Sequence, residues 1–379
     1  MKKRKVLFLI ESLAGGGAEK VLTTLVQHIN KEKFDVTVCA ISGGGEYEEI
    51  VKEQVSYHAI LREPADKSFF KKLAYTFKHH LVYKWLPISW VYGLFVPHGN
   101  DVEVAFVEGF TTKLLSHSTN RKAKKYAWVH CNMDKDHWTT SIFSTIEDET
   151  SVYNRYDHIF CVSNTAVQGF RYTFARVNVN ISTIYNPINT QIIKELAAER
   201  IDIEQKTPRF VTVGRLEPQK GYDRLVRVIN RIVSEGLGLE LWIIGVGSQE
   251  ASFKKYIQEH HLGNCIKLMG FHSNPYKYIV QGDLFVCSSR SEGYSTAVTE
   301  ALILGLPVIT TDCSGMSELL KDGECGMITE NNEEALYTGL KQLLSDEALL
   351  KHYRQKAVER GKEFSIERLM EPIEQILMA

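Results

Sequence analysis

Short apolar runs rich in Val, Ile, Leu and Phe recur at 5–10, 35–41, 101–108, 125–130, 158–163 and 181–186. They lack the strict alternation of a half-exposed strand, which points to strands buried on both faces of a parallel sheet. Segments with apolar residues three and four apart separate most of them. The pattern therefore predicts strand–helix–strand crossovers of a single hand. The same order starts afresh after residue 208, with runs at 209–213, 239–244, 266–270, 283–287 and 307–311 and a short one near 326–329. Helical patterns over 333–360 and 364–377 close the chain. Asn186-Pro187 ends the first series, and the polar stretch 189–207, with a short helix around 190–200, reads as a connection and hinge. The fold class this predicts is α/β, with two doubly wound Rossmann-like domains, 1–188 and 208–363.

One stretch departs from the strand and helix rhythm. Residues 67–96 carry Lys67, Lys71, Lys72, Lys78 and Lys84 and no acidic residue, interleaved with Phe69, Phe70, Leu73, Phe77, Leu81, Trp85 and Trp90. Helical spacing puts much of the apolar set on one face. Two readings stand side by side: a basic amphipathic helix lying in an anionic membrane interface, and a helix packed on the sheet with a solvated basic back.

Length and composition narrow the class. At 379 residues the chain suits two domains, and 44% hydrophobic residues are enough for two cores. A formal net charge of −1 gives no global field for nucleic acid. Seven scattered Cys without a C-x-x-C pair read as thiols in a reducing compartment, not as disulfides or a zinc site. The basic start Met1-Lys-Lys-Arg-Lys5 precedes an apolar run too short for a secretory signal, and no segment reaches the length of a membrane span. The expected location is the cytoplasm, peripheral on the inner face of the cell membrane if 67–96 binds lipid.

Candidate chemistry concentrates in the second half. The run 283–287 leads into Ser288-Ser-Arg-Ser-Glu292-Gly293-Tyr294-Ser295-Thr296-Ala-Val-Thr-Glu300, a Gly-containing turn entering a helix, with Glu292 on the turn and Glu300 about two turns along. Backbone N–H groups at 293–296 suit a phosphate or sugar oxygen, and carboxylates accept from sugar hydroxyls. For two isolated Glu residues the plain reading is a surface carboxylate and a Lys-paired one. Gly214-Arg215-Leu-Glu-Pro-Gln-Lys220-Gly221 places two cations on the turn after the first strand of this half, where their charges can converge on one anion. Gly245-Val-Gly247 follows the next strand. In the first half, Gly15-Gly16-Gly17-Ala-Glu19 follows the opening strand without the G-x-G-x-x-G spacing of a dinucleotide site. His130 stands at the carboxyl end of a strand, the end at which open α/β sheets bind ligands. Asp134-Lys-Asp136 is formally D-x-D, read as an acceptor-side loop and not as a metal site.

The stretch from Glu292 to Asp312 resembles the Glu-x7-Glu motif, helix, Gly-x-Pro turn and strand of retaining glycosyltransferases of family 4. Gly-Arg-Leu-x-x-x-Lys-Gly and the Gly-Gly-Gly-Ala-Glu loop are similar to that family's diphosphate pair and N-terminal loop. Asp312-Cys-Ser-Gly315 departs from the Gly-Gly loop of many members. The resemblance implies a GT-B fold, two domains facing a cleft, with 364–379 crossing back to complete the first. It implies a donor site of Gly16, Gly17, Gly214, Arg215, Lys220, Gly245, Gly247, Glu292, Gly293, Tyr294, Ser295, Thr296 and Glu300. Arg215 and Lys220 stabilise the leaving diphosphate, Glu292 holds the transferred sugar, Glu300 the ribose, and His130 reaches the sugar from the first domain. It also implies a metal-independent transfer without cofactor, from a UDP-sugar to a glycan or lipid-linked acceptor in bacterial surface polysaccharide synthesis. A nucleotide-sugar epimerase and a non-catalytic subunit of the same fold are the alternatives, and a phosphorylase is disfavoured.

Overall fold

The computed structural model describes residues 2–63 and 69–379, and its contacts divide these into two compact units: the first comprises residues up to Ile188 together with Ile366–Ala379, the second Asn189–Ser365. Each is built on a wholly parallel sheet. In the first unit β1 (Arg4–Ile10), β2 (Phe34–Ser42), β3 (Ser56–Leu61), β4 (Val102–Ala105), β5 (Lys124–Val129), β6 (His158–Cys161) and β7 (Asn180–Thr183) lie in the order β3-β2-β1-β4-β5-β6-β7. In the second, β8 (Arg209–Val213), β9 (Glu240–Ile244), β10 (Ile266–Gly270), β11 (Leu284–Cys287), β12 (Val308–Thr311) and β13 (Met327–Thr329) lie in the order β10-β9-β8-β11-β12-β13. Strand order reverses at β1 and at β8. The carboxyl edge of an open α/β sheet at such a point is where ligands bind.

The apolar runs explain the cores. Val6 to Ile10 and Glu240 to Ile244 are buried along their length because helices cover both faces. Three expectations need correction. The strand β3 was not expected: Ser56-Tyr-His-Ala-Ile-Leu61 is an edge strand whose first residues face solvent, so it carries no apolar run. The single helix expected over 333–360 is two, Glu333–Ser345 and Glu347–Gly361, divided at Asp346, whose carboxylate accepts from Leu349 N at 2.9 Å and caps the second. The stretch 67–96 is likewise not one helix. Helix Phe69–His80 runs into a π-turn, Leu81–Trp85, and after Pro87 a second helix, Ile88–Phe95, begins. Proline lacks the N–H an uninterrupted helix needs. Lys67 lies outside the described residues.

Helix Thr190–Ala197, in the stretch read as a connection, belongs to the second unit, where Asn274 Nδ2 donates to Leu196 O at 2.9 Å. The final helix, Ile366–Met378, belongs to the first, where Glu374 accepts from Asn30 N at 2.9 Å.

Candidate donor site

At the carboxyl end of the second sheet two loops are locked together. One leaves β8 through Gly214, Arg215 and a single 3-10 turn, Pro218–Lys220; the other leaves β11 and enters helix Thr296–Ile303. Gly221, at φ +65°, is where they meet: any Cβ there would strike the Ser288 carbonyl. Ser288 Oγ donates to Lys220 O at 2.9 Å, and Arg290 N to Gln219 O at 2.7 Å. The Arg290 guanidinium grips Asp223 through two bonds of 2.7 and 2.8 Å and holds that carboxyl down at about 2.

Beneath these loops lies Arg224, which sequence reasoning missed. Its buried guanidinium donates to Ser288 O at 2.9 and 2.6 Å, to Ser289 O at 2.7 Å and to Thr311 Oγ1 at 3.3 Å. A signal was present. Arg224 falls four residues before Val228 on the core stripe of helix Tyr222–Ser234, a place for an apolar side chain unless a charge is fully hydrogen-bonded.

This scaffold brings Lys220 and Glu292 into contact. Lys220 Nζ lies 2.6 Å from Glu292 Oε1, which also accepts from Ser289 Oγ at 2.6 Å, and both side chains are largely buried. Burial alone would depress the ammonium pKa, but the adjacent carboxylate outweighs it and raises the value, so Lys220 stays cationic. Arg215 is exposed on the same loop. Glu300 is buried on helix Thr296–Ile303, whose N-cap Ser295 accepts from Val298 N at 3.4 Å. Gly293, Tyr294 and Thr296 form the entry to this helix, whose first N–H groups offer partial positive charge.

The glycines after β9 are tied to a neighbouring loop. Gly245, at φ +143°, lies against the Gly214 carbonyl and Gly247 against Leu216, both too close for a Cβ. Glu217 accepts from Ser248 N and Oγ at 2.9 and 2.6 Å and completes the seam. Close backbone packing is thus what Gly214, Gly245 and Gly247 visibly serve.

In the first unit Gly16 caps helix Gly17–His28 at the carboxyl end of β1. His130 follows β5, its ring between Phe106, at 5.1 Å, and Trp128, at 6.1 Å. The ring bonds to the Phe106 carbonyl, and Nε2 is enclosed with no partner among the described residues. Nδ1 therefore carries the hydrogen, and Nε2 presents a lone pair that can accept from a hydroxyl. Burial lowers the pKa to about 4, so the imidazole is neutral near pH 7. Glu108, also missed, secures this strand end: it accepts from His130 N at 2.9 Å and from Trp138 Nε1 at 3.2 Å while itself buried. A carboxylate closing the run Val-Ala-Phe-Val-Glu108 was the available signal. Asp134 pairs with Lys135 at 2.8 Å, and burial raises the Asp136 pKa. Among the described residues no group of His, Cys, Asp and Glu converges in a metal-ligating set.

Comparison with known proteins agrees with this geometry. Residues 15–192 match the family model described as Glycosyltransferase Family 4, and residues 194–363 that described as Glycosyl transferases group 1. The chain is 28% identical, over 95% of its length and 96% of the relative's, to the Campylobacter jejuni N-acetylgalactosamine-N,N'-diacetylbacillosaminyl-diphospho-undecaprenol 4-alpha-N-acetylgalactosaminyltransferase. It is 24% identical, over 98% of its length and 99% of the relative's, to the amylovoran biosynthesis glycosyltransferase AmsD of Erwinia amylovora. Among solved structures, Anabaena HepE in complex with UDP and glucose superposes with a TM-score of 0.76 over 99% of this chain and 100% of that one, at 16% identity.

Proposed function

The chain belongs to glycosyltransferase family 4 and has the GT-B fold, and from that premise we propose that it transfers a hexose or N-acetylhexosamine, with retention and without a metal, from a UDP-sugar to a lipid-linked or polymeric glycan acceptor. One observation carries the reading. Lys220, the Glu-x7-Glu loop and its helix N-terminus are held as one rigid assembly by Gly221, Arg224 and Arg290. That assembly concentrates positive potential beside two buried carboxylates.

A sugar diphosphate needs both kinds of group. As the anomeric bond breaks, charge accumulates on the departing diphosphate, and Lys220, Arg215 and the N–H groups at 293–296 stabilise it from fixed positions. The phosphate draws the ammonium off Glu292, which turns to the hydroxyls of the transferred sugar. Glu300 accepts from the ribose hydroxyls. His130 Nε2, able only to accept, takes a hydrogen bond from a sugar hydroxyl. Gly16 and Gly17 let backbone approach the donor. The acceptor hydroxyl attacks on the face the diphosphate leaves, and the leaving phosphate takes its proton, which gives retention without a side-chain base. The named activities of the Campylobacter and Erwinia relatives support a carrier-linked or polysaccharide acceptor. Such an acceptor places the protein at the inner face of the cell membrane.

The test is a panel of uridine, guanosine and adenosine diphosphate sugars, with magnesium or a chelator, read by calorimetry, donor cleavage and anomer analysis of the product. One uridine donor should be bound and cleaved equally with chelator, and its anomeric configuration kept. An inverted product or a metal requirement contradicts the mechanism. Silence toward every donor from folded protein contradicts the transferase reading and favours a partner-stabilising subunit.

A further inference from the structure

Six large apolar side chains are more than half exposed among the described residues, and five of them, Leu73, Phe77, Trp85, Trp90 and Leu94, fall in one short segment of the first unit. The inner side of that segment is already satisfied. Val82, Val91, Tyr92 and Val96 are buried in the first core, and Tyr92 Oη donates to Glu103 at 2.7 Å. The exposed set is therefore not a core face awaiting the sheet.

Its geometry is that of one surface. Leu73 and Phe77 are four apart on the first helix, Trp90 and Leu94 four apart on the second. Phe77 packs edge-on against Trp85 at 5.5 Å, and Lys78 Nζ sits 5.2 Å over the Phe95 ring, so the chain folds back and joins the two helices. Lys72 and Lys84 are exposed beside the aromatics, and no acidic residue lies anywhere from 67 to 100. Apolar bulk ringed by one sign of charge suits an oppositely charged layer with an apolar interior. It does not suit a second copy, whose identical face would bring lysine against lysine. Among the described residues no helix is long and apolar enough to cross a membrane, so the contact is interfacial.

We infer that the exposed face of residues 72–95 is the surface by which this protein seats on an anionic lipid bilayer. The π-turn ties that surface to the strand ends: Tyr83 Oη donates to Glu11 Oε1 at 2.6 Å just past β1, and its ring packs at a tilt, centroids 4.5 Å apart, against Phe110, which opens the helix after β4. Burial raises the pKa of Glu11 even against that bond. A docked bilayer thus abuts the carboxyl edge of the first sheet. That this position delivers a lipid-held acceptor rests on the transferase reading; the docking itself rests on the face alone.

The experiment is sedimentation of the full chain with vesicles of phosphatidylglycerol in phosphatidylcholine and of phosphatidylcholine alone, alongside donor cleavage in vesicle-free buffer. Wild type should bind the anionic vesicles preferentially. Lys72→Glu/Lys84→Glu should lower partition by about thirtyfold, and Trp85→Ser/Trp90→Ser by at least about tenfold. Donor cleavage should be unchanged in both variants. Failure of wild type to bind, or equal binding by the variants, overturns the docking surface. So does a wild-type dimer that ignores vesicles and is dissociated by Trp85→Ser/Trp90→Ser. Vesicle binding without cleavage of any donor leaves the docking surface standing and removes the transferase reading instead.

Discussion

The carboxyl ends of the two sheets share a scaffold and differ in charge chemistry. Both flank a point where strand order reverses, between β1 and its neighbours in one and β8 and its neighbours in the other. In the second unit the loops are laced by cations: Lys220 to Glu292, Arg224 to two carbonyls, Arg290 to Asp223. In the first, carboxylates collect neutral donors: half-buried Glu11 takes Tyr83, and buried Glu108 takes Trp138 and the N–H of His130. A parallel sheet supplies only a place; the residues at its rim decide what can be held there. One rim suits an anion with fixed positive groups. The other suits hydroxyls, with acceptors and a neutral imidazole and, among the described residues, no cation bonded to either carboxylate.

The sharpest way to break this contrast is to discharge the cationic rim. Lys220→Met alone strands Glu292 in a buried position, so it is paired with Glu292→Gln, which leaves no orphaned charge. Both variants should lower turnover by about a thousandfold through loss of charge stabilisation in the transition state. Circular dichroism separates that loss from unfolding. Near-normal turnover in the double variant would remove Lys220 from the chemistry.

A smaller effect sharpens the neutral rim. Burial holds His130 at about 4, below the ordinary value of 6.5. Above pH 6.5 neither the folded nor the unfolded chain carries this proton, and the group is silent. Between 6.5 and 4 only the unfolded chain binds it, so stability falls as pH falls, by about 2 kcal/mol from pH 7 to pH 5. Urea unfolding at the two pH values measures this, and His130→Gln should abolish this increment. An equal pH dependence in the variant would mean that His130 already titrates normally in the folded protein.

The same contrast governs what could be read before the fold was known. Buried parallel strands announce themselves as apolar runs, so β1, β2, β5, β9 and β12 were legible. The edge strand β3 was not, because half of it faces water. Glu292, Glu300, Arg215 and Lys220 were legible because spacing and neighbours make a distinctive string. The groups that hold them in place were not. Arg224 acts on backbone carbonyls more than sixty residues away, and a bond to a carbonyl leaves no trace in the identity of its partner. Glu108 likewise serves a main-chain N–H and an indole. The break at Asp346 was missed because a capping aspartate inside a continuous helical pattern looks like any exposed acidic residue. The aromatic segment 67–96 was legible as amphipathic, but only its packing shows that the inner face is filled and the apolar outer face remains.

Where the diphosphate is held separates the two rims most directly. Calorimetric titration of UDP into wild type, Lys220→Met/Glu292→Gln and His130→Ala measures this without turnover. Binding weakened at least about tenfold in the first variant and unchanged in the second is the predicted result. Binding unchanged without Lys220, or lost without His130, would place the nucleotide at the wrong rim and contradict the account.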